Sequence, residues 1–313
     1  MLTDNQTRCL IIDIHRGTTH DGPGIRTTVF FKGCPLDCIW CQNPEGIAFG
    51  QEIWWEERKC IRCLSCIEAC PEDAVDEDEK GICIDRLKCT LCGECVEACP
   101  SGAMTFTGKE WTLDDLLNEA AKDRDYFQSF GGGVTASGGE PLGQYRFVTK
   151  FFKALKAQGI HTALDTCGFA PMAAFDSVLP YTDHVLYDLK LFDPTLHQQY
   201  TGRSNTLILE NLLQIADKYL RPSNGRMKLW IRTPLIPGVT AREDNLAQIG
   251  KFIRDHLLDV VERWELCAFN SACNAKYIKM GLTWEYETVP LMNQAQIDQV
   301  KAYALSGGIP ENR

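Results

Sequence analysis

The stretch Gly33-Cys34-Pro35-Leu36-Asp37-Cys38-Ile39-Trp40-Cys41-Gln42 contains a Cys-x3-Cys-x2-Cys triplet with an aromatic residue before the third cysteine. Three thiolates on one short loop can hold three corners of a [4Fe–4S] cube and leave the fourth iron without a protein ligand. An electron-transfer cluster normally has four cysteine ligands. A metal site that is one ligand short can bind another molecule, as open catalytic zinc sites do. The spacing therefore predicts an open cluster; a zinc knuckle, or three thiols close by chance, are the alternatives.

Two further cysteine runs follow this loop, and each ends in Cys-Pro. They read Cys60-x2-Cys63-x2-Cys66-x3-Cys70 and Cys89-x2-Cys92-x2-Cys95-x3-Cys99. This is the bacterial ferredoxin pattern, in which the fourth cysteine of each run binds the other cluster. One predicted cluster is thus held by Cys60, Cys63, Cys66 and Cys99, and the other by Cys89, Cys92, Cys95 and Cys70. Zinc is the alternative, but its sites favour separated Cys-x2-Cys pairs.

The composition limits the class of protein. The chain has 313 residues, 16 cysteines and a net charge of −10. It has no apolar run long enough to span a bilayer and no signal peptide, so we expect a cytoplasmic protein with reduced thiols. Because phosphate binding needs a basic surface, we expect no nucleic-acid partner. Because no apolar run is long enough to span a bilayer, we also expect no membrane association. Residues 51–108 carry 13 Asp and Glu against 6 Lys and Arg, which indicates a solvated acidic surface or a basic partner.

Outside the cysteine-rich segment, strand-like and helix-like patterns alternate as in parallel βα proteins. Predicted strands cover residues 27–31, 134–137, 161–164, 184–187, 228–231 and 263–267, and predicted helices 112–123, 144–158, 206–219 and 242–258. Thr112 with Asp115, and Thr240 with Glu243, have capping-box spacing. Six repeats are fewer than the eight of a closed barrel. We predict an α/β fold: a partial (β/α)6-type parallel barrel over residues 1–50 and 108–313, with a small ferredoxin-like α+β domain inserted at residues 51–107.

Unusual residues follow each predicted strand. Gly33–Cys41 comes after the first strand, and the others are followed or ended by Gly138-Gly139-Glu140-Pro141, Asp165-Thr166-Cys167-Gly168, Asp188-Leu189-Lys190, Arg232 and Cys267-Ala268-Phe269-Asn270. In βα barrels, functional groups lie at the carboxyl ends of the strands. The sequence therefore predicts one shared active site at this end of the barrel.

The cysteine triplet with its aromatic residue resembles the radical S-adenosylmethionine (SAM) superfamily. The longer stretch His20-Asp21-Gly22-Pro23-Gly24-Ile25-Arg26, followed by Thr-Thr-Val-Phe-Phe-Lys-Gly-Cys34, resembles the glycyl radical enzyme activating enzymes within it. The resemblance implies that SAM binds the open iron and is cleaved by one electron to a 5′-deoxyadenosyl radical, which takes a Cα hydrogen from a glycine of a partner glycyl radical enzyme. It also implies a reduced flavodoxin or ferredoxin as electron donor. A two-cluster insert is typical of activating enzymes that serve dehydratases, decarboxylases and lyases.

The resemblance also implies roles for individual residues. Trp40 and the residues at the strand ends correspond to positions that contact SAM, namely Gly138, Gly139, Glu140, Asp165, Asp188, Lys190, Arg232 and Asn270. Gly138, Gly139 and Glu140 would meet the amino group of SAM through backbone and carboxylate. Lys190 and Arg232 would meet its carboxylate. The resemblance implies a Na⁺ or K⁺ site formed by Asp165, Thr166, Asp188 and the carbonyl of Leu186. It also implies that Asp21 contacts the glycyl loop of the partner. Asn270 replaces a histidine found in many relatives.

Two alternatives remain from the sequence: a radical SAM enzyme that modifies a small molecule or a peptide, and a multi-cluster electron carrier without SAM chemistry. The residues at the strand ends argue against the electron carrier, and too few cysteines follow Cys167 for the extra cluster of a peptide-modifying enzyme. Cys83, Cys167, Cys267 and Cys273 lie outside the three cluster motifs. Such cysteines are most often packing residues.

Overall fold

The computed structural model describes residues 8–79 and 81–308, and within them the chain forms twelve strands and eleven α-helices. The strands are β1 Arg8–Thr18, β2 Arg26–Phe31, β3 Glu52–Trp55, β4 Val75–Asp78, β5 Gly81–Ile84, β6 Met104–Thr107, β7 Lys109–Thr112, β8 Gly133–Gly138, β9 His161–Thr166, β10 His184–Asp188, β11 Lys228–Leu235 and β12 Val261–Ala268. The helices are α1 Ser65–Glu68, α2 Glu94–Glu97, α3 Leu113–Ala121, α4 Arg124–Phe130, α5 Tyr145–Ala157, α6 Met172–Val178, α7 Pro194–Thr201, α8 Thr206–Ile215, α9 Glu243–His256, α10 Asn274–Lys279 and α11 Gln294–Ser306. Within these ranges, no helix is both long and apolar enough to cross a membrane.

The main sheet has six parallel strands that follow one another in chain order, β2-β8-β9-β10-β11-β12. This arrangement confirms the predicted α/β fold with a partial parallel barrel. All six predicted strands are present. β1 and β7, which were not predicted from the sequence, extend the sheet in antiparallel pairing beyond β2.

Successive side chains of each parallel strand point alternately to the hydrophobic core under the helices and to the interior of the partial barrel. Val29 and Phe31 of β2, and Val185 and Tyr187 of β10, point to the side where the helices pack. That side is closed by helix faces such as Phe147, Val148, Phe151, Phe152 and Leu155 of α5. Because successive strand residues face opposite sides, the intervening residues face the barrel interior. The polar residues at the strand ends are on this interior side.

The two predicted capping boxes have different outcomes. At α3, the hydroxyl of Thr112 accepts a hydrogen bond from the backbone N–H of Asp115 at 3.2 Å, as predicted. The prediction for Thr240 is wrong, since α9 begins at Glu243 with Arg242 as its N-cap residue. The Thr240 hydroxyl is buried, where it donates to the carbonyl of Pro234 and accepts from the N–H of Ile236. A tight turn after β11 therefore uses this side chain before the helix starts.

The cysteine-rich segment forms two small antiparallel pairs. β3 pairs with β6, and β4 pairs with β5. Since Glu52 lies opposite Thr107, the chain leaves and rejoins the main sheet at neighbouring points. A separate apolar cluster fills this unit with Ile53, Trp55, Cys66, Val75, Ile82, Cys95, Ala103 and Met104. The domain boundaries at residues 51 and 107 remain a prediction.

Candidate active site

A cavity of about 420 Å³ opens at the carboxyl ends of the parallel strands. It collects residues that are far apart in sequence, as the strand-end pattern predicted. The predicted residues that line it are Asp21, Cys34, Cys38, Trp40, Cys41, Gly138, Gly139, Asp165, Thr166, Asp188, Lys190, Arg232 and Asn270. Two other predicted residues, Glu140 and Leu186, do not line it.

The cysteine loop after β2 is held by backbone contacts to several elements. The N–H of Cys34 donates to the carbonyl of Ile47 at 2.9 Å, and the N–H of Asp37 donates to Thr201 at 2.9 Å. The hydroxyl of Tyr277 donates to the carbonyl of Cys41 at 3.0 Å. These contacts fix the loop from both sides, so its three thiols share one partly enclosed position.

The chemistry of the three thiols fits an iron–sulfur cluster. Burial raises the pKa of Cys38 to about 12, and burial followed by the neighbouring cysteine charges raises that of Cys41 well above its ordinary value. Thiolates crowded in this way need a cation, and metal binding takes the place of their protons. In the part of the chain that is described, no three His, Cys, Asp or Glu side chains are arranged around a single metal ion. The cysteines of a cube each bind a different iron and therefore lie further apart.

Gly138 and Gly139 bring the end of β8 against the cysteine loop. Gly138 has a φ of +112°, and a Cβ added at Gly139 would lie 2.4 Å from the carbonyl oxygen of Gly46 and 2.6 Å from that of Gly33. The N–H of Glu140 also donates to the carbonyl of Gly33 at 2.7 Å. The absence of side chains thus permits close backbone contact within the protein. The predicted approach of SAM to these glycines stays a prediction.

The Glu140 side chain is buried among hydrogen-bond donors of the protein. This residue is 1% exposed, and its carboxylate accepts hydrogen bonds from the hydroxyl of Thr166 at 2.9 Å and from the N–H groups of Leu142 and Cys167 at 3.0 and 2.7 Å. Both oxygens therefore face protein donors rather than the cavity. Burial beside three donors orients the carboxylate inward, and the predicted contact of this stretch with the amino group of SAM stays a prediction.

Two ion pairs face the cavity. Arg232 at the end region of β11 contacts Asp165 at 3.3 Å, and Lys190 contacts Asp188. The hydroxyl of Ser137 donates to Asp165 at 2.6 Å. Burial of Lys190 opposes its charge, but Asp188 more than offsets this and the pKa of Lys190 is raised. The cavity thus presents two fixed cations, each with its own carboxylate.

The predicted ligands of a monovalent cation lie on neighbouring strands: Asp165, Thr166 and Asp188 line the cavity, and Leu186 is paired with Asp165 in the sheet. Leu186 is fully buried within β10, which pairs with β9 on one side and β11 on the other. The hydroxyl of Thr166 donates to Glu140, and Asp165 and Asp188 are in ion pairs. Arg232 and Lys190 contact the two carboxylates in this structure, and the cation site stays a prediction.

Asp21 and Asn270 lie at the edges of the cavity. The carboxylate of Asp21 accepts a hydrogen bond from Thr28 at 2.8 Å, and its carbonyl accepts one from Thr135 at 2.7 Å. The side chain of Asn270 accepts from the N–H of Ala272 at 3.1 Å. The loop that carries Asp21 is therefore fixed against β2 and β8, while Asn270 caps a local turn.

Cys167 is a cavity residue for which the sequence analysis predicted no role. It is 6% exposed, and the neighbouring Cys34 thiol together with burial raises the pKa of Cys167 well above the ordinary value of a cysteine. Cys267 also lines the cavity, whereas Cys273 is packed in the apolar cluster beneath the cysteine loop. The signal that pointed to Cys167 was its place directly after Asp165-Thr166 at a strand end.

The insert cysteines approach one another in two groups. Burial raises the pKa of Cys66, and the charges of Cys99, Cys60 and Cys63 raise it further. Burial raises the pKa of Cys95 to about 11, and here the strongest neighbouring charges are those of Cys70, Cys89 and Cys92. This proximity agrees with the crossed grouping of the two runs. The assignment of ligands remains a prediction.

The chain is similar in sequence to proteins of known family. Residues 28–249 match the family described as the radical SAM superfamily. The chain is 39% identical to a trans-4-hydroxy-L-proline dehydratase activating enzyme of Clostridioides difficile, over 93% of this chain and 94% of that protein. It is 36% identical to a (2S)-3-sulfopropanediol dehydratase activating enzyme of Klebsiella oxytoca, over 96% and 95%. A domain of a pyruvate-formate lyase-activating enzyme from Bacteroides vulgatus aligns with a TM-score of 0.46 and 28% identity, covering 57% of this chain and 96% of that one.

Proposed function

The chain belongs to the glycyl radical enzyme activating enzymes of the radical SAM superfamily, and we propose that the cavity at the carboxyl ends of its parallel strands is the site of this activity. It is an oxidoreductase that activates a partner glycyl radical enzyme. A [4Fe–4S] cluster and SAM together supply a 5′-deoxyadenosyl radical, which removes a Cα hydrogen from a glycine of the partner. The observation that carries the assignment is that Cys34, Cys38 and Cys41 share one cavity with the charged and polar groups at the strand ends.

We assign the cluster of this cavity to Cys34, Cys38 and Cys41. Lys190 and Arg232 are suited to bind the carboxylate of SAM, because their cationic groups line the same cavity and are oriented by Asp188 and Asp165. Hydrogen bonds to charged groups are strong and directional. Trp40 is 3% exposed beside the third cysteine and forms an apolar wall. The backbone of Gly138 and Gly139 is the proposed contact for the amino group.

We assign two further [4Fe–4S] clusters to the insert, with the crossed ligands given above. Cys63 and Cys92 are exposed, so each insert cluster has a ligand at the surface. This exposure, with the acidic composition of residues 51–108, supports a role in receiving electrons from a reduced flavodoxin or ferredoxin. A cytoplasmic location, where such donors and reduced thiols occur, is part of this proposal.

Two further proposals concern the carboxylates of the cavity, namely a monovalent-cation site at Asp165 and Asp188 and a partner contact at Asp21. Asp165 and Asp188 are paired with Arg232 and Lys190, so we propose that these carboxylates orient SAM-binding cations. A Na⁺ or K⁺ site formed by Asp165, Thr166, Asp188 and the carbonyl of Leu186 also stays a proposal. Asp21 faces the cavity on a fixed loop, which supports the proposed contact with the glycyl loop of the partner.

The test is SAM cleavage by the reconstituted, reduced protein under anaerobic conditions. We expect 5′-deoxyadenosine and methionine, and a glycine-centred EPR signal when the cognate glycyl radical enzyme is added. Cys38→Ala should abolish both products. Cys9→Ala is the matched control, since Cys9 is a buried thiol of β1 outside the cavity and its loss should leave both products.

The same assay separates the alternatives. An electron carrier without SAM chemistry yields no 5′-deoxyadenosine. A radical SAM enzyme that modifies a small molecule or a peptide yields 5′-deoxyadenosine but no glycine radical on any glycyl radical enzyme. Either result would overturn the proposed function.

A further inference from the structure

The interior of the barrel holds a buried polar layer beneath the cavity, and the proposed function does not use it. Phe30 of β2 and Ser137 of β8 line the cavity. Two residues earlier on the same strands, Thr28 and Thr135 are paired in the sheet and are fully buried. Arg26 precedes Thr28 by two residues and is also fully buried. A buried guanidinium is costly unless its donors are paired, so its contacts show what it holds.

Arg26 binds the loop that precedes it and the neighbouring strand β8. Its guanidinium donates to the carbonyl of Pro23 at 3.1 Å and to the carbonyl of Val134 at 2.8 Å. It also donates to the hydroxyl of Thr135 at 2.6 Å and lies 3.3 Å from the ring nitrogen Nδ1 of His161. None of these acceptors is a carboxylate, so this side chain acts as a set of hydrogen-bond donors rather than as half of an ion pair.

The hydroxyl of Thr135 connects Arg26 to Asp21. A guanidinium can only donate, so Thr135 accepts from Arg26 and its own proton is left for another acceptor. That acceptor is the backbone carbonyl of Asp21 at 2.7 Å. On the other side, the carboxylate of Asp21 accepts from the hydroxyl of Thr28 at 2.8 Å. Because Asp21 also lines the cavity, the loop of residues 20–25 forms the floor of the cavity and is called the floor loop below.

The floor loop contacts a residue that the proposed function assigns to SAM. The carbonyl of His20 accepts from Nη2 of Arg232 at 3.3 Å, while Nη1 of the same guanidinium donates to Asp165 at 3.3 Å. Arg232 is thereby held at two of its nitrogens, by the end of β9 and by the floor loop. A group held in its binding orientation loses less freedom when the ligand binds, which increases affinity.

We propose that Arg26, Thr28 and Thr135 are positioning residues that fix the floor loop inside the barrel. The fixed floor loop in turn orients Arg232 for the carboxylate of SAM. This inference rests on the proposed binding of SAM in the cavity.

The test compares Thr135→Val with Thr135→Ser in the full-length, reconstituted protein. Valine keeps the shape of the side chain and removes the hydroxyl, whereas serine keeps the hydroxyl. For Thr135→Val we expect the dissociation constant of SAM, measured from the EPR change that SAM causes, to rise about tenfold. Amide hydrogen exchange in the floor loop should become faster by about the same factor. Thr135→Ser should stay within about threefold of the wild type in both measurements.

Thr162→Val is the matched control. Thr162 is also fully buried, but its hydroxyl donates to the carbonyl of Tyr181 at 2.6 Å and does not support the floor loop. This variant should lose stability and keep the affinity for SAM and the exchange of the floor loop. If Thr135→Val does not fold, Thr28→Val takes its place, because it removes the hydrogen bond to the Asp21 carboxylate and leaves the acceptors of Arg26 intact.

Each outcome decides the question. The proposal holds if the valine variant weakens SAM binding and speeds exchange of the floor loop, while Thr135→Ser and Thr162→Val do neither. It is overturned if the folded valine variant binds SAM like the wild type, if valine and serine at position 135 shift the affinity equally, or if Thr162→Val shifts it as far. A failure of the proposed function looks different, since no EPR signal of the wild type would then respond to SAM, whereas exchange of the floor loop would still depend on Thr135.

Discussion

The carboxylate of Glu140 accepts hydrogen bonds from three residues and joins the ends of β8 and β9. In Glu140→Gln one oxygen becomes an N–H donor, so the buried N–H of either Leu142 or Cys167 loses its acceptor. An unsatisfied buried donor costs about 1–3 kcal/mol. We expect the free energy of unfolding to fall by that amount in urea titrations, while the affinity of the folded protein for SAM changes little.

The matched control is Glu110→Gln, whose side chain is 54% exposed and which should be within about 0.5 kcal/mol of the wild type. The opposite pattern, with unchanged stability and a weaker affinity for SAM, would support the direct contact between Glu140 and SAM that the sequence predicted. The experiment thus distinguishes a carboxylate that positions the strand ends from one that binds the ligand.

His184 gives the stability a defined pH dependence. Burial, and after it the nearby His161, lowers its pKa to about 3, whereas an unfolded histidine titrates near 6.5. Below pH 6.5 the unfolded chain binds a proton that the native protein does not, so the free energy of unfolding decreases as the pH falls toward 3. Between pH 6.5 and 5 we expect this residue to remove roughly 1.5–2 kcal/mol.

The variant His184→Phe should lose this part of the pH dependence, because phenylalanine can keep the ring contact with Trp230, now 4.6 Å between centroids. Urea unfolding at pH 6.5 and 5 measures the change in the free energy of unfolding for the wild type and for His184→Phe. Effects of acid on the clusters are common to both proteins and cancel in this comparison. His15→Asn is the control, since the His15 side chain is 52% exposed. Equal pH slopes for wild type and His184→Phe would contradict the prediction.

At the scale of elements, the contact between the end of β8 and the cysteine loop depends on Gly139. A methyl group there would lie within 2.6 Å of two carbonyl oxygens, those of Gly33 and Gly46, and neither belongs to a flexible side chain. Overpacking typically costs 1–3 kcal/mol, or more where the backbone must move. We expect Gly139→Ala to lower the thermal midpoint and to reduce the iron bound by the cysteine loop.

Gly50→Ala is the control for this prediction, because a Cβ at Gly50 meets nothing within 4 Å. It should leave the midpoint and the iron content unchanged. If Gly139→Ala binds iron and melts like Gly50→Ala, the two loops can separate without loss, and the close contact is not needed for the site.

The six parallel strands could be predicted from sequence because each is a short apolar run followed by a distinctive polar motif. β1 lacked that signal, since its outer half, with His15 and Arg16, is polar and exposed. The role of Thr240 was mispredicted because capping-box spacing cannot show that a turn will bury the hydroxyl first. Which strand-end residues face the cavity was predictable from the barrel rule, but the inward orientation of Glu140 depends on donors from β9, a contact between distant segments.

At the scale of the whole molecule, a buried ion pair ties the insert to the barrel. The side chain of Lys32, directly after β2, is fully buried and donates to Glu52 of β3 at 2.8 Å and to the carbonyl of Glu45 at 2.6 Å. Glu52 also contacts Arg86, whose guanidinium donates to the carbonyl of Met280 near the end of α10. Glu52 therefore links the barrel, the insert and the carboxyl-terminal part of the chain. None of the three cysteine motifs predicts the ion pair between Lys32 and Glu52, because this contact forms only when the insert folds back onto Lys32.

Removing Glu52 should loosen the insert as a unit. In Glu52→Ala the buried Lys32 charge loses its counter-charge, and breaking a buried pair in this way costs about 3–5 kcal/mol. We expect faster amide hydrogen exchange in both β3 and β6, since these strands pair with each other where the insert meets the barrel. In the double variant Lys32→Met with Glu52→Ala no charge is left buried, so its loss of stability should be smaller than the sum of the two single losses. Additive losses, with unchanged exchange in β3 and β6, would mean that the insert is held by its own apolar cluster and that the ion pair does not couple it to the active site.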